Sequence, residues 1–187
     1  MDDLEGMPAD GNRYELIDGT LIVSPALGVL HQTVVGRLFV ALDAACPRSM
    51  HTLVAPFAVR PSNITELQPD VLVGRMEDFT KKLLPVAPVL AVEVISPSSV
   101  LKDLNYKKAA YQRLGVPNYW VIDPEDPALT VFELDGAGVY RTTAEVKGSD
   151  VFEARRPFPV RIVPTDLLGW LAEEDPDQDT NASGAEF

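Results

Sequence analysis

The chain has 187 residues, of which 46% are hydrophobic and 24% charged, a globular balance sized for one domain with tails. No run of about 18 apolar residues is present, the acidic N-terminus MDDLEGMPADG has no apolar signal core, and a single cysteine, Cys46, excludes an intrachain disulfide and any zinc site built from several thiolates. A cytoplasmic protein with no membrane segment is expected. The net charge of −12 is uneven: residues 1–12 carry −4 and residues 171–187 carry −6, leaving −2 on the body. Both ends are expected to be disordered tails around a domain at 13–170. The near-neutral body is not that of a general nucleic-acid binder.

Arg13–Val23 reads as a hairpin, with Asp18-Gly19 as its two-residue turn between apolar runs, ended by Ser24-Pro25. Residues 27–45 read as a helix, because Leu30, Val34, Leu38, Leu42 and Ala45 recur at helical spacing and Pro47 follows. Two extended stretches follow, 52–60 and 69–73, with Pro61-Ser62-Asn63 between them. A third, 88–95, is almost continuously apolar and is expected to be buried on both faces. Ser96-Pro97-Ser98-Ser99 breaks it. A helix runs from an Asp103 cap to Leu114, with Gly115 at the position a C′ glycine takes. Strands are expected at 118–123, in a hairpin of 128–134 and 138–143 around Asp135-Gly136, and at 151–161. A short helix ends the domain near Leu171. The order predicts a mixed α/β domain: one central sheet, flanking helices and an N-terminal hairpin.

Glu93 stands out, because a carboxylate inside Val89–Ile95 is costly unless it is paired or binds a metal. It is either a structural salt bridge or a metal ligand or acid/base. Asp70 opens the strand 69–73. If that strand and 88–95 are neighbours, Asp70 and Glu93 face each other, and a divalent cation, magnesium or manganese for oxygen donors, removes their repulsion. On the following helix, at roughly 100° per residue, Lys107 falls about 30° from the centre of the apolar face of Leu104, Tyr111 and Leu114, and Lys108 about 70°. Lys107 is thus either a snorkelling lysine or a cation aimed at the carboxylates or a phosphate. His31 reads as a core-edge histidine or a site residue. Glu15 reads as a solvent-facing strand residue or a third acidic ligand.

From about Arg13 to about Asp123 the chain resembles the Uma family of restriction-endonuclease-like proteins, a branch of the PD-(D/E)XK nuclease superfamily. The blocks that carry the resemblance are Arg13-Tyr-Glu-Leu-Ile-Asp-Gly19, Ser24-Pro25 with His31 opening a helix, Pro69-Asp70-Val71 and Glu93-Val-Ile-Ser-Pro-Ser98. Asp103, Lys107 and Tyr111 at four-residue steps and Gly115-Val-Pro-Asn-Tyr-Trp-Val-Ile-Asp-Pro124 complete the set.

The resemblance implies a restriction-endonuclease-like fold and metal-dependent hydrolysis of phosphodiesters, with DNA as partner. Asp70 and Glu93 take the places of the two motif acids and would hold Mg2+ or Mn2+, helped by the Val94 carbonyl. The usual lysine slot two residues beyond the second acid holds Ile95. In the Uma-like pattern the lysine comes from the next helix, here Lys107, and Glu15 and His31 match family positions. Substrate contacts are expected from Arg37, Lys102 and Lys108, which with Lys107 and Arg113 could line a groove for a polyanion. A closed neutral pocket would instead suit a small ligand. Cutting both strands of a duplex usually takes two sites, so a homodimer is an expectation. The rival reading is a catalytically silent nuclease-fold scaffold.

Overall fold

The computed structural model describes residues 6–8, 10–95 and 102–173; the side chains of 102–104 and 173 are not among those described. The Ser96–Ser99 break, the Asp103 cap, the side chain of Lys102 and the tail residues 1–5, 9 and 174–187 therefore lie outside it.

The N-terminal hairpin forms as the sequence predicts. Strands β1 (Arg13–Ile17) and β2 (Thr20–Ser24) pair antiparallel around Asp18 and Gly19, whose φ values of 50° and 81° are those of a type I′ turn. Helix α1 (Val29–Ala45) buries Val34, Val35, Leu38 and Leu42 along one stripe. The stretch expected at 52–60 is two strands and that at 69–73 is one, with a further short strand between them. They are β3 (Met50–Val54), β4 (Ala58–Ser62), β5 (Thr65–Leu67) and β6 (Val71–Arg75). Pro56 ends the first stretch, and its partners lie in two different sheets. Strands β7 (Leu83–Leu84) and β8 (Leu90–Val94) follow, and every residue of β8 is buried.

Helix α2 (Lys102–Arg113) ends in a Schellman arrangement. The Val116 N–H donates to the Tyr111 carbonyl at 3.0 Å and Gly115 takes φ 76°, so this glycine is the C′ residue. Then come β9 (Asn118–Asp123), β10 (Ala128–Leu134) and β11 (Tyr140–Lys147). The stretch 151–161, expected as one strand, is a small hairpin of β12 (Phe152–Ala154) and β13 (Val160–Ile162), because Pro157 and Pro159 interrupt it. Two 3-10 turns, Thr165–Leu167 and Gly169–Glu173, replace the short helix.

The single central sheet of the sequence reading is two sheets. One has six strands in the order β11-β10-β9-β8-β6-β3, with β8 and β9 its parallel pair. The other has five, β2-β1-β5-β4-β7. Leu90, Val92 and Val94 pack on the α1 side with Val34, Leu38 and Leu42, closed by Phe158, Ile162 and Leu167. Ala91, on the opposite face, packs with Tyr111 of α2, Tyr119 of β9, and Ile17 and Leu67 of the five-stranded sheet. The two helices thus cover opposite faces of the six-stranded sheet, which accounts for the unbroken apolar run of β8.

Leu38 is fully buried and Val40, two residues on, is 64% exposed. Leu38→Ala should cost about 2–5 kcal/mol in urea unfolding, whereas Val40→Ala should stay within about 0.5 kcal/mol.

Candidate active site

The register of β6 against β8 pairs Val71 with Val92, Leu72 with Ala91 and Val73 with Leu90. Continued by one residue, it sets Asp70 opposite Glu93. Val71, Val73, Leu90 and Val92 belong to the α1-side core and Ala91 to the α2-side core. Strand alternation therefore turns Glu93 and Asp70 to the α2 side. The α2-side face also receives β1, which brings a third carboxylate, Glu15, fully buried.

Every carboxylate oxygen of Asp70 and Glu93 has a protein donor. Asp70 Oδ1 accepts from Arg13 Nη1 at 2.7 Å, and Oδ2 accepts from the Val94 N–H at 2.8 Å and lies 3.1 Å from His31 Nε2. Because Asp70 offers only acceptors when ionised, Nε2 is assigned as the protonated nitrogen; Nδ1 is buried without a partner. Both oxygens of Glu93 lie 3.1 Å from Lys107 Nζ, and the Tyr111 hydroxyl donates to Oε1 at 2.7 Å. Lys107 Nζ also pairs with Glu15 Oε2 at 2.8 Å, while Glu15 Oε1 accepts the Gln68 N–H. The Glu15 ion pair is not aligned as a hydrogen bond, so Oε2 is left as an acceptor without a directed donor.

Burial presses Asp70 toward its neutral form, but the His31 hydrogen bond and the Arg13 charge outweigh it and hold the carboxyl below its ordinary value, at about 2. Glu93 goes the other way. Its burial, reinforced by the charges of Asp70 and Glu15, outweighs Lys107 and raises it to about 7. Burial also works to lower the Lys107 ammonium, but Glu93 and Glu15 raise it above the ordinary lysine value. Leaving His31 aside, three ionised carboxylates against the two cations Arg13 and Lys107 would leave one negative charge uncompensated, a charge that a proton on the raised Glu93 removes.

The structure thus gathers Asp70, Glu93, Lys107, Glu15 and His31, all named from the sequence, and adds two residues to which no role was given. Arg13 belonged to a matched block, yet a basic residue opening a hairpin strand has no distinguishing local pattern. Tyr111 stands on the apolar helix face and in the matched Asp103, Lys107, Tyr111 block, one turn beyond Lys107, but its hydroxyl has no role assigned from the sequence.

The expected basic groove does not assemble from the described residues. Lys108 lies over the Phe132 ring at 3.5 Å, Arg113 pairs with Asp18, and Arg37 donates to the Asp166 carbonyl on the α1 side of the sheet. A cleft of about 510 Å³ instead opens beside Asp70, with Arg13, Tyr14, Pro25, His31, Pro56 and Gln68 among its walls. Among the described residues no three His, Cys, Asp or Glu side chains are arranged around a common metal position. Two carboxylates opposite each other, with a main-chain carbonyl next to one, are nonetheless the hard-oxygen set that suits magnesium or manganese.

Asp70 is lower in the folded protein than in the unfolded chain. Its contribution to stability is complete above the unfolded value and is lost as pH falls toward about 2. Urea unfolding from about pH 5 down to about pH 2 should show a steeper loss for wild type than for Asp70→Asn.

A family model described as "Uma2: Putative restriction endonuclease" matches residues 1–166. Among solved structures, a crystal structure described as a putative nuclease belonging to DUF820 from Anabaena variabilis ATCC 29413 is similar, with a TM-score of 0.75 and 16% identity. The similarity covers 91% of this chain and 97% of that one, which shows a shared, restriction-endonuclease-like fold. No curated protein matches. Because the family match runs through both sheets and every member of the Asp70–Glu93 cluster, the chain belongs to the Uma2 family.

Proposed function

We propose that the chain is a Mg2+- or Mn2+-dependent endonuclease that hydrolyses DNA phosphodiester bonds at the Asp70–Glu93 cluster. The observation that carries this reading is the pair of buried carboxylates on one sheet face, with one ammonium, Lys107, held against Glu93 and Glu15. Membership of a family described as restriction endonucleases supports the reaction class.

Asp70 and Glu93, with the Val94 carbonyl, would hold the cation, which when bound supplies a water of lowered pKa and draws charge from a phosphoryl oxygen. The remaining roles belong to the chain itself. Lys107 stabilises negative charge developing on the phosphate or orients the attacking water, since among the described residues it is the one ammonium that reaches Glu93. Tyr111 fixes the Glu93 carboxylate by donating to Oε1. Arg13 and His31 hold Asp70 ionised and in place. The cleft beside Asp70 is where a phosphodiester would enter, because Glu93 and Lys107 are each only 4% exposed. Lys102, Lys108 and Arg37 keep only the peripheral role of drawing in a polyanion.

One observation favours the rival reading, a nuclease-fold binding or scaffold protein without turnover. The protein's own donors already satisfy both carboxylates. A supercoiled-plasmid assay with Mg2+ or Mn2+ separates the two. Wild type should nick or linearise the plasmid and Glu93→Ala should not. Absence of cleavage by wild type with either metal, with DNA binding retained, would establish the scaffold reading.

In the same assay Lys107→Met should lower turnover by on the order of 10²–10³, whereas Lys108→Ala should change it less than about twofold. Lys107→Met leaves two carboxylates without their cation, so circular dichroism must first show that it is folded. Equal cleavage by folded Lys107→Met and wild type would remove Lys107 from the catalytic set.

A further inference from the structure

Strand β2 ends the five-stranded sheet, and no described strand pairs with its outer edge. Natural edge strands are guarded by charge, proline, a bulge or a covering segment. Residues 20–24, Thr-Leu-Ile-Val-Ser, hold no charge and no proline, in a chain whose net charge is −12. The pairing of β2 with β1 runs through five successive residues without a shift, and Leu21 and Val23 are 43% and 50% exposed.

Which backbone groups point outward follows from the turn. In a two-residue hairpin the residues flanking the turn exchange both hydrogen bonds, so Ile17 pairs in this way with Thr20. Alternation then turns the amides and carbonyls of Thr20, Ile22 and Ser24 toward β1, and those of Leu21 and Val23 toward the open edge.

The strand is also chemically palindromic about Ile22. Laid antiparallel on a second copy of itself, Thr20 meets Ser24, Leu21 meets Val23 and Ile22 meets Ile22. In this register the outward-facing residues, Leu21 and Val23, are the ones that exchange backbone bonds with the other copy. Leu16 lies beside Leu21, and Tyr14 beside Val23, on the same outer face of the hairpin. Pairing therefore builds two continuous four-residue rows across the junction, each Leu16, Leu21, then Val23 and Tyr14 of the second copy. Such cross-strand apolar contacts are the unit of sheet stabilisation.

We propose that β2 is a homodimer interface, in which two copies pair β2 to β2 antiparallel about a two-fold axis at Ile22 and join their five-stranded sheets into one of ten strands. Glu15 lies directly opposite Ile22 on β1. The axis therefore sets the Glu15 residues of the two copies three strand spacings apart, about 14 Å, and brings the two buried clusters to one continuous sheet. An edge junction of this size gives a concentration-dependent dimer rather than a permanent one.

Sedimentation equilibrium on the full chain tests the pairing without reference to catalysis. Wild type should shift from monomer to dimer mass as its concentration rises to about 1 mM. L21E/V23E sets like charges opposite each other twice and should raise the dissociation constant at least about tenfold. L21K/V23E sets opposite charges in the same two places and should restore the dimer. Ile22→Cys, in a Cys46→Ser background, should give a covalent dimer on oxidation, because the two Ile22 residues meet on the axis at a non-hydrogen-bonded pair. A wild type that stays monomeric throughout overturns the proposal, as does a dimer indifferent to L21E/V23E. A monomeric L21K/V23E overturns the register. If a charged variant fails to fold, the cysteine cross-link decides, and its absence counts against the interface.

Discussion

One buried ammonium, Lys107 Nζ, is shared between Glu15 of the five-stranded sheet and Glu93 of the six-stranded sheet. The docking of the two sheets depends on it. In a poorly screened interior, two carboxylates brought together without a cation repel strongly, and removing one member of such a set leaves the others uncompensated at a cost of about 3–5 kcal/mol. Helix α2 adds two further fastenings to the hairpin. The Tyr106 hydroxyl donates to the Ile17 carbonyl, and Arg113 pairs with Asp18 in the hairpin turn. The hairpin is therefore fixed to α2 by polar contacts at Glu15, Ile17 and Asp18, while Ile17 also supplies the apolar contact between them.

With Glu15, Asp70 and Glu93 all ionised, Arg13 and Lys107 would leave the cluster one positive charge short, to be made up by a proton on Glu93 or by an added cation. That imbalance is the electrostatic condition under which an added cation is welcome. It also explains why the two strand acids behave oppositely. Asp70, at the strand start, takes hydrogen bonds from His31, Arg13 and the Val94 amide and stays ionised. Glu93, one strand across, has burial and two neighbouring carboxylates against it and is driven toward protonation.

Much of this centre was legible in the sequence because local periodicity carries direction. An acid in an apolar strand has to be compensated, and the wheel of α2 put Lys107 rather than Lys108 inward, where the structure has it against Glu93. The Asp18-Gly19 turn and the Gly115 helix stop were readable for the same reason, since each depends on a backbone conformation that few residues adopt. What could not be read is long-range. Nothing local assigns β4 and β5 to a different sheet from β3 and β6, and nothing in the spacing of Arg37, Lys108 and Arg113 shows that sheet packing sends them to separate places. Arg13 went unassigned because its partner, Asp70, is 57 residues away.

That separation has a consequence for how the chain acquires its centre. The cluster draws on β1, α1, the start of β6, β8 and α2, from residue 13 to residue 111, and no two neighbouring elements suffice to neutralise its charges. During synthesis Arg13 and His31, the partners of Asp70, emerge before it, whereas Glu15 and Glu93 both emerge before Lys107, the cation they share. Burial of Glu15 and Glu93 is favoured only once Lys107 is in place to serve both.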